Sequence, residues 1–252
     1  MLLTFDHGPI RELRFNRPPV HALTREFLSA LREAVEAASS AGFRAIVLSG
    51  TPGRFSAGLD VPLLLTLDRP AIAELWRELY GVFRALACSS IPVVAAITGH
   101  ATAGGIVLPI FCDWRVAAQG DFKIGVNEVQ VGIPLPPVII AAMRRLIGPR
   151  ETERLAVSGA LISPEEAARV GLVDELAQPD QVIDRALQWC QGRLALPANA
   201  MALTRQVSRA DLVALFDSLD DELTRVTAAW WTPESQSTLR AVVERLQKKK
   251  SS

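Results

Sequence analysis

At 252 residues and 49% hydrophobic content, the chain is long enough to bury a large core as one domain, or as one domain with an appendage. Lysine plus arginine and aspartate plus glutamate number 27 each, so no overall field draws it to nucleic acid or to an anionic membrane. Three cysteines, Cys88, Cys112 and Cys190, share no metal-ligand spacing with the three histidines, which speaks against a metal site and for reduced, mostly buried thiols. The first residues lack the basic and long apolar segments of a signal peptide, and no apolar run reaches membrane-spanning length. The expectation is a soluble protein of the cytoplasm, or of the mitochondrial matrix if the chain is a processed eukaryotic form.

In chain order, residues 2–5 and 10–15 alternate around a His-Gly-Pro turn and predict a β-hairpin. Thr24 is a plausible N-cap for a helix carrying Phe27, Leu28, Leu31, Val35 and Ala38 on one face and ending near Gly42. Residues 44–49 read as a buried strand, followed by a loop, and 71–88 as a helix. A strand at 93–97, a glycine turn, a short helix and a strand at 114–117 follow. Strands alternating with helices imply parallel β-α-β units covered on both faces. After residue 137 the period is helical over 138–147, 149–158, 164–169, 182–193, 198–208, 212–229 and 233–246, with only 172–175 extended. The division expected is an α/β core over 1–190 and a helical C-terminal region over 191–252. The run Lys248–Lys250 reads as a solvated tail.

Two loops carry the chemistry. In the first, Thr98-Gly-His-Ala-Thr-Ala-Gly104-Gly105 ends a strand and opens a helix, where free N–H groups can hold an anion or a developing oxyanion. In the second, Arg54-Phe55-Ser56-Ala57-Gly58-Leu59-Asp60 follows the preceding strand and allows close backbone approach by a ligand. Downstream, Asn127 and Glu128 lie among apolar residues, a setting that raises a carboxylate pKa. Asn127 either orients Glu128 or shapes its loop. Glu128 by itself reads first as a structural carboxylate paired with Arg144 or Arg145, since ion pairs are common. Leu63, Leu64, Val107, Val131 and Ile133 read either as the apolar wall of a ligand pocket or as plain core, and Trp230 and Trp231 as core, subunit contact or tunnel. His100 beside the turn reads as packing.

With these segments together, the chain resembles the crotonase, or enoyl-CoA hydratase/isomerase, superfamily. The resemblance rests on Asn16-Arg-Pro-Pro-Val20, Phe55–Asp60, Gly99–Gly105, Cys112-Asp113, Glu128–Gly132 and the segment Gly159–Val173. It implies a ClpP/crotonase-like fold of repeated ββα units forming a spiral, with C-terminal helices for trimerisation. It also implies an acyl-CoA substrate, no cofactor beyond the coenzyme A of that thioester, and assembly as a homotrimer or hexamer. By the same resemblance the amides of Leu59 and Gly104 hold the thioester oxygen, and Phe55, Ser56, Ala57, Gly58 and Asp60 run along the adenine and pantetheine portions. Gly105, Val107, Asn127, Leu63, Val131 and Ile133 are the remaining substrate contacts expected.

The family's hydratases resemble this chain except that their first glutamate falls here on Val107. The acid of the dienoyl-CoA isomerases falls on Pro136. The resemblance is therefore nearest to the monofunctional Δ3,Δ2-enoyl-CoA isomerases, with Glu128 as the single base. The other readings are a different crotonase-type reaction (hydration, thioester hydrolysis or decarboxylation) and a catalytically silent acyl-CoA-binding or scaffold protein.

Overall fold

The computed structural model describes residues 1–250, without the side chains of Leu246, Lys249 and Lys250, so the last two lysines of the C-terminal run lie outside the described side chains. The hairpin forms as β1 (Leu2–His7) and β2 (Ile10–Phe15), antiparallel. Helix α1 (Arg25–Ala38) starts where the Thr24 side chain accepts from the Phe27 N–H, a cap whose loss typically costs ~1 kcal/mol. Next come β3 (Ala45–Ser49), β4 (Gly53–Ser56), α2 (Val61–Leu64) and α3 (Arg69–Cys88), the last capped by Asp68. They lead to β5 (Val93–Ile97), β6 (Gly99–Thr102), α4 (Gly104–Ile110), β7 (Trp114–Ala118) and β8 (Ile124–Gly125).

The C-terminal half begins with a 3-10 turn, Glu128–Val131, then α5 (Pro137–Ser158), α6 (Pro164–Val170), β9 (Glu175–Ala177) and α7 (Val182–Leu194). It ends with α8 (Ala198–Ser208), α9 (Ala210–Ala214), α10 (Leu219–Trp230) and α11 (Pro233–Lys250). Three expectations shift. The helix expected over 212–229 is broken, with a 3-10 turn at Leu215–Ser218 between α9 and α10. The extended segment expected at 172–175 lies at 175–177, where it pairs with β7. The loop after β3 and the glycine turn contain the short strands β4 and β6.

Those short strands explain the architecture. The large sheet has the order β1-β2-β3-β5-β7-β9, parallel from β2 onward, and a second parallel sheet is β4-β6-β8. Each of β3, β5 and β7 sits in the large sheet and its successor in the small one, so the chain winds as a spiral of ββα turns, the crotonase fold. The large sheet is covered on both faces. On one, Leu13, Ile46, Leu48, Val93, Ala95 and Ile97 join the core formed with α1 and α3; on the other, Val47, Val94, Ala96 and Val116 meet Val182, Ala186 and Cys190 of α7. Each fully buried aliphatic or aromatic side chain contributes about 1.5–3 kcal/mol of transfer free energy. Phe55 belongs to this core, its ring 4.9 Å from Phe15, so β4 arrives at its loop with a fixed position.

The helices after residue 191 fold back on α3. Arg205, on α8, is buried: its guanidinium donates to the carbonyls of Leu86, Ala87 and Ser89 at the end of α3 and pairs with Asp113. Arg209 does the same for Phe111 and Cys112 at the end of α4. Cations on the unpaired carbonyls of helix C-termini satisfy groups that burial would otherwise strand. Among the described residues no helix is long and apolar enough to cross a membrane, and no cluster of three potential metal ligands occurs.

Candidate active site

After β4, the chain is held by main-chain bonds on both sides of Leu59. The Leu23 N–H donates to Gly58 O (2.8 Å) and the Asp60 N–H donates to Leu23 O (3.0 Å), which leaves the Leu59 N–H between them without a backbone acceptor. Ser56 fastens the same loop: its hydroxyl donates to His21 O (2.8 Å) and accepts from the Gly58 N–H (3.1 Å). Gly58 has φ +82°, and a Cβ there would stand 2.8 Å from the Gly104 nitrogen. Only glycine allows the two loops to touch.

Gly104 opens α4 and its N–H, at the first helical position, has no intrahelical acceptor. The turn before it is set by Ala103, which takes φ 49°, ψ −131° and donates its N–H to Gly125 O. A non-glycine residue in that region is strained by about 1–3 kcal/mol, and such strain concentrates at functional sites. A Cβ placed on Gly104 would lie 3.7 Å from the Leu59 nitrogen. Two backbone donors therefore stand side by side.

Glu128 heads the 3-10 turn that follows β8. Its Oε2 is buried with no hydrogen-bond partner, and so is Asn127 Oδ1. Burial pushes the Glu128 carboxyl up to about 7, against a smaller lowering by its own backbone N–H. No ion pair reaches it among the described residues: Arg145 pairs with Asp211. The reading of Glu128 as half of a structural ion pair with Arg144 or Arg145 thus fails, and no hydrogen bond joins the Asn127 and Glu128 side chains.

Both halves meet in one cavity of about 670 Å³. Ala57, Leu59, Asp60, Gly104, Val107, Asn127, Glu128, Val131 and Ile133 line it together, as does Pro136. The two positions that lack an acid, Val107 and Pro136, thus share a wall with the one that has it. Among the described residues the only other carboxylate in the lining, Asp60, is tied to Arg17 (2.7 Å) and caps α2 through the Leu63 N–H.

Four residues stand behind the lining. Phe55 is in the core, Ser56 and Gly58 hold the loop, and Gly105 packs on the Ser56 carbonyl. Leu63 is 39% exposed and outside the cavity, while Leu64 is core. His100 is also outside; its Nδ1 accepts from the Lys123 N–H and its ring meets Phe122 edge-on.

The far wall consists mostly of residues whose sequence signal was only that of helix cores, Trp76, Leu79, Tyr80 and Phe83 from α3, Val226 from α10, and Val242 and Val243 from α11, joined by Trp230 of α10, which the sequence offered as core, subunit contact or tunnel. Trp230 is buried against Trp76, ring centroids 6.1 Å apart, so it serves as core and as cavity wall together. Arg17 and Pro18–Val20 form the near rim, and the Asn-Arg-Pro-Pro motif was their signal.

The model for the family described as enoyl-CoA hydratase/isomerase matches residues 6–250. The human protein named enoyl-CoA delta isomerase 1, mitochondrial, is 32% identical over 242 residues, 94% of this chain and 80% of its own length. The probable enoyl-CoA hydratase EchA17 of Mycobacterium tuberculosis is 36% identical over 197 residues, 77% of this chain and 74% of its own. The crystal structure of human mitochondrial delta3-delta2-enoyl-CoA isomerase superposes with a TM-score of 0.94 at 30% identity, covering 99% of both chains. Isomerases and hydratases are thus comparably similar to it. With its fold, its two loops and the family model in agreement over nearly all its length, the chain is an enzyme of the enoyl-CoA hydratase/isomerase family.

Proposed function

We propose that the protein is a Δ3,Δ2-enoyl-CoA isomerase. The observation that carries this reading is the single unpaired carboxylate in the cavity, with Val107 and Pro136 where a second acid would stand. In the mechanism the ionised Glu128 takes a proton from C2 of a 3-enoyl thioester. The electron pair moves into the conjugated dienolate, whose oxygen accepts from the N–H groups of Leu59 and Gly104. The protonated Glu128 then gives the same proton to C4, and the 2-trans-enoyl-CoA results with no net gain or loss. Losing one such amide donor typically costs ~3–4 kcal/mol of transition-state stabilisation. A base with a pKa near neutrality is well matched to both steps, since it must accept the proton and release it.

Coenzyme A belongs to the substrate in this reading, along the Ala57–Asp60 edge of the cavity, and no separate cofactor is invoked. A trimer or a pair of trimers is the proposed assembly, supported by the outward apolar residues Leu203 and Val207 of α8, 63% and 75% exposed. The competing hydratase reading is favoured by the similarity to EchA17. It needs a second group to activate water, and the cavity's remaining carboxylate is engaged with Arg17.

The test is turnover of 3-cis- and 3-trans-enoyl-CoAs of several lengths with 3-hydroxyacyl-CoA measured in the same assay. Isomerisation exceeding hydration supports the proposal; hydration as the main reaction overturns it.

A further inference from the structure

The turn that carries Glu128 is anchored from a part of the chain a hundred residues away. Gly132 ends the turn at φ 76°, and its carbonyl accepts from the Ser235 hydroxyl of α11 at 2.5 Å. A Cβ on Gly132 would come 3.1 Å from Ser235 Cα, so the two backbones are in contact. The Ser235 oxygen in turn lies 2.9 Å from Thr232 Oγ1, which donates to it, and the residue is only 1% exposed. The same helix sends Val242 and Val243 into the cavity wall.

We propose that Ser235 is a positioning residue for Glu128: by holding the Gly132 carbonyl it seats α11 over the turn, keeps water from the carboxyl group, and so preserves the proton that Glu128 carries between carbons. The second half of this statement rests on the isomerase reading; the first does not.

Several facts bear on it. The Glu128 turn is short, and its main-chain bonds include a 3.0 Å one from the Gln130 N–H to Asn127 O, a 3.0 Å one from the Ile133 N–H to Glu128 O and a 3.2 Å one from the Gly132 N–H to Val129 O. Its outer side is fixed by Gln130, whose side-chain amide donates to Gly159 O. Ser235 is the corresponding attachment at its far end. The charged groups on the surrounding elements, Arg144 and Arg145 on α5, Glu234 and Arg240 on α11, and the Arg17–Asp60 pair, do not figure among the causes of the Glu128 shift, which is set by burial. Whatever admits water to the carboxyl therefore acts on its titration directly.

The experiment compares Ser235→Ala with Thr232→Val. Thr232 caps the start of α11, accepting from the Ser235 N–H, but does not touch Gly132. Thr232→Val removes that cap and the Thr232 bond to the Ser235 oxygen while leaving Ser235 to donate to Gly132, so it controls for loss of helix stability with the Gly132 contact kept. The readout is the titration of Glu128 in the ligand-free protein, followed by carbon-13 NMR with Glu128→Gln to assign the signal. Ser235→Ala is expected to lower the Glu128 midpoint by about one pH unit, while Thr232→Val lowers the melting temperature and leaves the midpoint in place. An unchanged midpoint in Ser235→Ala, or an equal shift in both variants, overturns the proposal.

A second arm measures deuterium taken up from heavy water during turnover of a 3-enoyl-CoA. Uptake several-fold above wild type is expected in Ser235→Ala, and uptake equal to wild type overturns the role in proton retention. Absence of turnover in the wild type overturns the isomerase reading and the proton-retention half alone, since the NMR titration needs no substrate.

Discussion

Glu12, in the middle of β2, and Glu128, at the head of its 3-10 turn, are both shielded glutamates, and they differ in the donors supplied to them. The Glu12 side chain is fully buried and receives the Ser49 hydroxyl (2.5 Å), the Arg14 Nε–H (2.8 Å) and the His7 imidazole (2.9 Å). Burial pushes its carboxyl up, but Ser49, His7 and Arg14 together outweigh burial and hold it below its ordinary value. At Glu128 burial acts almost unopposed, and the carboxyl rises to about 7. Taking a carboxylate out of water does not decide its chemistry; the partners waiting for it do. One site holds a charge, and the other leaves a carboxyl free to gain or lose a proton near neutrality.

The sharpest test of this contrast is catalytic. Glu128→Gln keeps the shape of the cavity and removes its proton carrier, so 3-enoyl-CoA turnover is expected to fall by at least ~10²–10⁴-fold with acyl-CoA binding retained, checked by steady-state kinetics and calorimetry. Full activity in that variant ends the one-base mechanism. In the wild type, the base must be ionised to begin the reaction, so kcat/KM is expected to rise with pH through about 7 and level off above it.

The same substitution at the other glutamate should leave chemistry alone and weaken the fold. Glu12→Gln removes the acceptor's negative charge from the bonds to Arg14 and His7 and presents an amide nitrogen to groups that donate. An unfolding free energy lower by ~2–3 kcal/mol at pH 7 is expected in urea titrations, with little change in kcat. Loss of activity without loss of stability would tie Glu12 to the cavity and break the division.

Only one of these two environments was legible in the sequence. Glu128 stood in a recognisable loop, among apolar residues that already implied a raised pKa, and the family resemblance, carried by the two glycine loops, pointed to the amides of Leu59 and Gly104. Glu12 lay without a signal of its own inside the strand expected at residues 10–15. Its burial arises because Ser49 lies across the parallel pairing of β2 with β3 and His7 lies at the hairpin, and tertiary pairing of that kind has no local signal. The same limit hid the far cavity wall. Trp76, Tyr80 and Phe83 have the helical spacing of any core face, and nothing in that period separates a side chain packed on another from one that borders a void. Strands β4, β6 and β8 have only two to four residues each, too few to show alternation. The helix expected across 212–229 broke because α9 turns to pack on α3 before α10 begins, a tertiary demand again.

A smaller effect concerns the cost of the catalytic arrangement. Glu128 has a folded-state pKa above its unfolded one, so between about 4.5 and 7 the folded protein holds a proton that the unfolded chain has lost. Its contribution to stability therefore declines as pH rises through that window and is least favourable above 7. Glu128→Gln abolishes the titration. At pH 8 the variant is expected to be more stable than wild type by about 1–2 kcal/mol, less than a full shift implies because the glutamine amide is itself left buried without hydrogen-bond partners. Near pH 4 the two should unfold together, and an equal gap at both pH values would show that burial of the charge is not its source.

The smallest effect isolates one donor at Glu12. Ser49→Ala removes the hydroxyl that donates to Oε1 and leaves Arg14 and His7 in place. A folded-state pKa held low contributes stability that is fully present above the unfolded value and is lost as pH falls through the folded one. Without Ser49 the folded pKa rises toward the ordinary carboxylate value. The variant should then lose about 1 kcal/mol at pH 7, begin acid unfolding at a higher pH than wild type, and approach wild type again once Glu12 is protonated in both. Denaturant midpoints between pH 3 and pH 7 would show this narrowing. A gap independent of pH would instead assign the loss to packing around Ser49, and the contrast between the two glutamates would then rest on Arg14 and His7 alone.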